Sequence, residues 1–183
     1  MDDDLELIRD KFAKYDKHTT HLSLDGIKTY GRIVDVIDGD SLNVIIPVFD
    51  NYYKFNVRLN GIDTNELKSK NEENKKLGHI ARLRLGQLIL NEEIEDIELV
   101  KKNINDNVVL VWLECLKFDK YGRLLANVYT INDRNTLAEP KLVFGKGTLA
   151  ESLSEILVNE KLAYWYDGGR KLTEKEQLEI RSD

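Results

Sequence analysis

The chain has 183 residues, of which 42% are hydrophobic and 33% charged, a composition typical of a globular domain and not of a disordered or fibrous chain. Its formal net charge of −6 argues against attraction of the whole surface to nucleic acids or anionic membranes. The single cysteine, Cys115, excludes an internal disulfide, and no apolar stretch reaches the length of a membrane span. Because the start Met-Asp-Asp-Asp-Leu-Glu also lacks a secretory pattern, we expect an intracellular protein without membrane contact.

An amphipathic helix is predicted near the N-terminus, within residues 4–16. Apolar residues recur there at helical spacing, namely Leu5, Ile8, Phe12 and Tyr15. We expect this apolar stripe to pack either on the main domain or on a protein partner. The sequence is accordingly divided into a helical extension, residues 1–28, and a domain that covers residues 29–183.

Three β-strands are predicted next, over Tyr30 to Ile37, Ser41 to Val48 and Tyr52 to Leu59. The first two are separated by Asp38-Gly39-Asp40. Asp-Gly between apolar runs is a strong hairpin signal, because glycine supplies a positive φ angle. Turn chemistry explains Asp38, but it explains Asp40 only if no neighbouring group needs a carboxylate.

The second half of the chain is predicted to contain further helices and strands. A helix covers Asn71 to Leu90, and residues 91–106 form a loop with a short helix. Two strands, Val108 to Leu116 and Arg123 to Thr130, are joined by a turn at Asp119-Lys120-Tyr121-Gly122. A long connection follows over residues 131–147. Its Gly-Lys-Gly-Thr is not a phosphate loop, because the earlier glycine and the preceding strand are missing.

The last part is predicted to hold a helix around Leu149 to Leu157, the segment Ala163 to Tyr166, and a polar helix from about Leu172. Five short strands with a helix between the third and fourth predict an α+β fold that is mainly β. The expected architecture is a five-stranded OB-type Greek-key barrel with about three packed helices, and we expect a monomer. Such barrels often bind oligonucleotides, although a fold alone does not establish a function.

Charged residues are concentrated where the third strand ends. The stretch Val57 to Glu66 contains Arg58, Asp63 and Glu66. These residue types can clamp a phosphate, ligate a hard cation and act as a general base, respectively. The alternative is that Asp-Thr-Asn-Glu forms an ordinary polar turn.

Three stretches in this order resemble the staphylococcal nuclease (thermonuclease) family. They are Ile-Asp-Gly-Asp-Ser at 37–41, Arg58 with Asp-Thr-Asn-Glu at 63–66, and Asp-Lys-Tyr-Gly-Arg at 119–123. The resemblance extends from about Tyr30 to Arg170, and Gly78 also fits the first helix of the family. It implies hydrolysis of phosphodiester bonds in DNA and RNA, with a 3′-phosphate and a free 5′-hydroxyl as products.

The resemblance also implies roles for individual residues. Asp40 and Asp63 would ligate a calcium ion together with the backbone carbonyl of Thr64. Glu66 would be the general base, and Arg58 and Arg123 would hold the scissile phosphate and stabilise its transition state. Oxygen ligands suit magnesium and manganese as well as calcium.

Four further positions match family residues that contact the bound nucleotide: Lys120, Tyr121, Tyr164 and Tyr166. In an extended segment Tyr164 and Tyr166 project the same way, so they offer a ring on which a base can stack. The alternative is that both tyrosines pack in the protein and that Trp165 faces inward.

The sequence departs from the family pattern at two site positions. Asn65 replaces the usual proline before the glutamate, and the loss of proline's rigidity would loosen the aim of Glu66. Ser41 replaces a threonine and retains the hydroxyl. The rival interpretation is a non-catalytic module that binds nucleic acid or peptide. Such a module has no need for the complete charged set, which includes Asp40 and Arg123.

Overall fold

Five strands close into a barrel in the computed structural model, which describes residues 2–131 and 151–180. The helices in these ranges are α1 (Asp2–Phe12), α2 (Glu72–Leu90), α3 (Ile97–Asp106), α4 (Leu153–Asn159) and α5 (Glu174–Glu179). The strands are β1 (Lys28–Asp38), β2 (Ser41–Val48), β3 (Asn51–Leu59), β4 (Ile62–Asp63), β5 (Leu110–Phe118), β6 (Leu124–Thr130) and β7 (Tyr164–Trp165).

The barrel has the strand order β1-β2-β3-β6-β5, with β5 paired to β1. All pairs are antiparallel except β3 with β6, which run parallel. Alternate side chains point inward and are fully buried, among them Ile33, Val44, Val57, Val111 and Leu124. The prediction of a mainly β, α+β fold with an OB-type barrel is confirmed, although the described residues contain more than about three helices.

The helix α2 covers the barrel, as its apolar spacing predicts. Its first turn is capped by the side chain of Asn71, which accepts hydrogen bonds from the backbone N–H groups of Glu73 and Asn74. Ala81 and Leu85 are fully buried on its inner face. Residues 91–106 differ from the prediction of a loop with a short helix, because α3 takes up ten of them. Its sequence is mostly polar, but Ile97, Val100 and Ile104 recur at helical spacing, and Val100 and Ile104 are buried.

A second, two-stranded sheet was not predicted. In it β4 pairs with β7, so that Ile62 lies opposite Trp165 and Asp63 opposite Tyr164. Strands of two residues are too short to produce a periodic pattern. This sheet nevertheless ties the C-terminal segment to the end of β3, where the charged residues are concentrated.

The helix α1 does not pack on the barrel through its described apolar side chains. Leu5, Ile8 and Phe12 are 48–66% exposed, and Tyr15 beyond the helix is exposed as well. The expected packing on the main domain is therefore wrong for these residues, and a protein partner stays a prediction. The chain joins the barrel at Leu24, which is buried in the core ahead of residue 29.

Two observations concern the limits of the described chain. Except for Ile131, the connection predicted over 131–147 lies outside the described residues, as do its Gly-Lys-Gly-Thr and the start of the helix predicted around Leu149. Among the helices within the described ranges, none combines the length and the apolar character that a membrane span requires.

Candidate active site

The turn between β1 and β2 places Asp40 beside the end of β3. The backbone N–H of Leu59 donates to the carbonyl of Asp40 at 2.8 Å. Contrary to prediction, Gly39 in this turn does not adopt a positive φ angle. It is required for space instead: a Cβ there would lie 2.8 Å from Cβ of Ala81 and 2.9 Å from Oγ1 of Thr64. The turn is thus packed between α2 and the loop after β4.

Arg58 links Asp40 and Asp63, which are far apart in sequence but close in space. Its Nη2 lies 2.8 Å from Oδ2 of Asp40 and 2.5 Å from Oδ1 of Asp63. The same nitrogen donates to the carbonyl of Ile62 at 3.1 Å. All three charged residues are buried, with at most 8% exposed. Asp63 is therefore not part of an ordinary exposed turn.

The charges of this cluster depend on one another. Burial raises the pKa of Asp40 to about 7, and the nearby Asp38 adds to this effect, whereas Arg58 opposes it. Burial alone would lower the pKa of Arg58, but its attraction to Asp40 and its hydrogen bond to Asp63 more than offset this, so the pKa is raised. The guanidinium is thus held charged, whereas the buried Asp40 carboxyl group is harder to ionise than an exposed aspartate, because Arg58 offsets only part of the effect of burial.

Tyr164 supports the second aspartate from within the protein. Its hydroxyl donates to Oδ2 of Asp63 at 2.6 Å, and its ring is buried. Burial and the adjacent Asp63 both raise the pKa of Tyr164. Its buried ring is not available to a stacking base, so of the tyrosine pair only Tyr166, which is partly exposed, presents a ring to the surface.

The loop that carries Glu66 is fixed without a proline. The Asn65 side-chain amide donates to Oδ1 of Asn74 at 2.5 Å and to Oε1 of Gln177 at 2.9 Å. A Cβ at Gly78 would lie 2.7 Å from the carbonyl oxygen of Asn65, so α2 and the loop approach closely. The two hydrogen bonds donated by the Asn65 side chain replace the restraint expected from proline. The Glu66 side chain beyond it is 71% exposed.

Arg123 is held apart from the buried cluster. Its Nε and Nη2 each lie 2.7 Å from Oδ2 of Asp119. Burial would raise the pKa of Asp119, but hydrogen bonds from the backbone of Arg123 and Tyr121 and from the Arg123 guanidinium offset this, so the pKa is lowered. The structure therefore places Arg123 in an ion pair with Asp119 and not with Asp40 or Asp63.

A cleft of about 790 Å³ brings both arginines to one surface. Among its lining residues are the predicted nucleotide contacts Lys120, Tyr121 and Tyr166. The ammonium of Lys120 lies 5.1 Å from the centre of the exposed Tyr121 ring. With Arg58, Arg123 and Lys171, the cleft has four cationic side chains on a protein whose net charge is negative. Five of the ten predicted site residues line this cleft, and five do not: Asp40, Asp63, Thr64, Glu66 and Tyr164. Of these five, Glu66 lies on the loop after Asp63, and Tyr164 is buried beneath the site.

Two residues at the site were missed from the sequence. The ammonium of Lys171 lies 3.1 Å from Oδ1 of Asp63 and 3.7 Å from Oε1 of Glu66. Trp165 is 61% exposed and lies opposite Ile62 in the small sheet, so it does not face inward. Neighbouring residues of a strand point to opposite faces, so a buried Tyr164 implied an exposed Trp165. Nothing in the sequence pointed to Lys171, because its partners are more than 100 positions away.

The donor atoms near the buried cluster fit a hard cation. Asp40, Asp63 and the carbonyl of Thr64 offer only oxygen atoms, which calcium prefers. Ser41 donates its hydroxyl to Oδ1 of Asp40 at 2.8 Å and so orients that carboxyl group. In the part of the chain that the structure describes, no group of three or more histidine, cysteine, aspartate or glutamate residues is placed to hold a metal. A cation here would rely on the two aspartates, the carbonyl and water.

Comparison with protein families gives a match over residues 56–182 to the model described as "Staphylococcal nuclease homologue". The matched range covers more than half of the chain and includes Arg58, Asp63, Glu66 and Arg123. A comparison with curated proteins gives no match.

Proposed function

Because the chain belongs to the staphylococcal nuclease family, we propose that it is a calcium-dependent nuclease that hydrolyses phosphodiester bonds in DNA and RNA. Membership of the family indicates a nuclease-like or nucleic-acid-binding role. The observation that supports catalysis is the buried Arg58, held by Asp40 and Asp63 and open to the cleft that also contains Arg123. Glu66 lies on the loop that begins at the second of these aspartates.

The two arginines would bind the scissile phosphate. A guanidinium presents its N–H donors in a planar fork that matches phosphate oxygens, which a lysine ammonium cannot do. Arg58 is already oriented by its carboxylate partners, and Asp119 restrains Arg123. Donors oriented before the reaction stabilise the negative charge that develops on phosphorus-bound oxygens without reorganising at that moment.

Glu66 would act as the general base. Its carboxylate accepts a proton from a water molecule while the water oxygen forms a bond to phosphorus. The bond from phosphorus to the 5′ oxygen breaks, and this oxygen takes a proton from solvent. The products are a 3′-phosphate and a 5′-hydroxyl. An exposed position suits this role, because Glu66 must exchange its proton with solvent between turnovers.

Asp40, Asp63 and the carbonyl of Thr64 would hold the cation. When bound, it supplies positive charge that neutralises the phosphate and lowers the pKa of adjacent water. Magnesium and manganese also accept such oxygen ligands, so cleavage is to be compared with all three cations.

The surface beside the arginines would hold the nucleotide. Lys120 can pair with a second phosphate, and the exposed Tyr121 ring and the partly exposed Tyr166 ring can stack on bases. Trp165 extends this aromatic surface. A Cβ built at Gly61, which lines the cleft, would lie 3.8 Å from the Trp165 ring, so the indole adjoins the cleft.

A non-catalytic binding module would use the same cleft and aromatic residues. It would have no use for two aspartates and an arginine buried together, because removing such charges from water costs several kcal/mol per ion. The charged cluster therefore favours the enzyme.

The test is cleavage of a labelled single-stranded DNA by the purified full chain with calcium, magnesium, manganese or chelator. We expect cleavage that requires a divalent cation and leaves 3′-phosphate ends. Binding of DNA without cleavage under every metal condition would establish the binding module instead.

A further inference from the structure

Lys171 reaches the proposed cation ligands from the segment that joins β7 to α5. Its ammonium lies 3.1 Å from Oδ1 of Asp63, the oxygen that Arg58 also approaches at 2.5 Å. The ammonium lies 3.7 Å from Oε1 of Glu66. A single lysine therefore interacts with a metal ligand and with the predicted general base.

These contacts occupy the oxygens that the proposed chemistry needs. Oδ1 of Asp63 faces two cationic donors, and Oδ2 accepts the hydroxyl of Tyr164. Positive charge beside Asp63 repels a divalent cation, and an oxygen with two charged partners has little capacity left for a third. Arg58 and Tyr164 are buried and fixed, whereas the side chain of Lys171 is 46% exposed. Lys171 is thus the partner that can leave.

We propose that Lys171 competes with the cation for Asp63. Its ammonium pairs with Asp63 and Glu66 until a substrate phosphate draws it away. This inference rests on the proposed nuclease function. Lys171 lines the cleft, so its flexible side chain can exchange one anionic partner for another without movement of the backbone.

The consequence is coupling between substrate and cation. A phosphate in the cleft frees Asp63 for the cation and Glu66 for water, so each ligand favours binding of the other. Thermodynamic linkage requires this effect to be reciprocal. Without substrate, Lys171 would keep the affinity for the cation low and would hold the general base Glu66 in an ion pair.

The test is titration calorimetry of the full chain with calcium, alone and with thymidine 5′-monophosphate as the phosphate probe. Lys171→Met removes the ammonium and keeps the length of the side chain. We expect it to bind calcium about tenfold more tightly than wild type, a typical size for coupling between sites. The nucleotide should strengthen calcium binding more in wild type than in Lys171→Met, and Lys171→Arg should resemble wild type.

Arg170→Met is the matched control, because Arg170 lies in the same segment but pairs with Glu176 at 2.7 Å. Unchanged or weaker calcium binding by Lys171→Met would overturn the competition while leaving the proposed nuclease intact. An equal gain in Arg170→Met would also overturn it, since net charge alone would then be responsible. Absence of calcium binding in wild type and Lys171→Met would refute the calcium site itself, and the inference with it.

Discussion

Arg58 shows how one buried residue organises the site. A guanidinium cannot lose its charge in a protein, so its burial requires anionic partners, and Asp40 and Asp63 supply them. The three positions are brought together by the pairing of β2 with β3 and by the turn before β4. The same arrangement that satisfies the folded protein also places Arg58 in the lining of the cleft.

Tyr164 is predicted to stabilise the fold through Asp63. Tyr164→Phe removes a hydroxyl that donates to a buried carboxylate, and hydrogen bonds to charged groups contribute about 1.5–3 kcal/mol. We expect urea denaturation to show a loss of that size. Tyr166→Phe is the control, because among the described residues its hydroxyl donates only to the carbonyl of Gly169 at an exposed position, and the substitution should cost less than about 0.5 kcal/mol. Equal losses in the two variants would refute the special role of Tyr164.

Cys115 is predicted to make stability depend on alkaline pH. Burial raises the pKa of its thiol to about 11, whereas an unfolded thiol has a pKa of about 8.5. The folded form thus retains the proton more strongly, so the contribution is fully present below pH 8.5 and is lost as the pH rises towards 11. Urea midpoints should fall more between pH 8 and 10 in wild type than in Cys115→Ala. Parallel slopes would contradict this, because Tyr129 and other groups are common to both proteins.

At the scale of elements, the close contact of α2 with the Glu66 loop is predicted to control catalysis. Gly78→Ala would place Cβ 2.7 Å from a backbone carbonyl, so the helix and loop must separate. Displacement of a catalytic group by about 1 Å can cost about a hundredfold in rate. We expect a loss of about 10–100-fold in the rate of DNA cleavage per folded molecule.

Gly86→Ala is the matched control within the same helix. Its Cβ would lie 2.5 Å from Cγ1 of Val100, a clash with α3 away from the site. It should lower stability by about 1–3 kcal/mol and leave the cleavage rate of the folded protein nearly unchanged. A similar rate loss in both variants would mean that general destabilisation, and not the loop, is responsible.

The helices and strands differ in how clearly the local sequence predicts them. The barrel strands and α2 have long periodic patterns, and all of them were predicted. In α3 the apolar residues follow helical spacing but are few, so the helix was predicted only as a short one; burial of Val100 and Ile104 stabilises it. For β4 and β7 there is no local signal, since each exists only by pairing with the other. The contacts of Asp63 with Tyr164 and Lys171 depend on this strand pairing and therefore could not be predicted from the sequence.

At the scale of the whole molecule, a cleft lined by four cationic side chains and two carboxylates, Asp119 and Asp167, lies on an acidic protein. The net charge of −6 would disfavour nucleic acid in general, whereas four cationic side chains line the cleft. Binding should therefore be local and salt-dependent. For single strands the slope of log affinity against log salt is about −0.7 per phosphate neutralised, so three or four contacts predict a slope of about −2 to −3.

Fluorescence titration of a short single-stranded DNA at several salt concentrations measures this slope. Arg123→Met should make the slope shallower by about one contact, whereas a charge removed outside the cleft, as in Lys28→Met, should leave it unchanged. A slope near zero in wild type would contradict electrostatic binding in the cleft.

The central claim is that this site hydrolyses phosphodiester bonds with Glu66 as the general base. The most direct measurement is single-turnover cleavage of single-stranded DNA, with calcium present, by wild type and Glu66→Gln, with DNA binding measured in the same samples. Glu72→Gln is the control, because Glu72 is exposed on the first turn of α2 and pairs only with the neighbouring Lys75 in the described contacts. We predict a loss of about a hundredfold or more for Glu66→Gln with DNA binding retained, and no loss for Glu72→Gln. Undiminished cleavage by Glu66→Gln would contradict the mechanism.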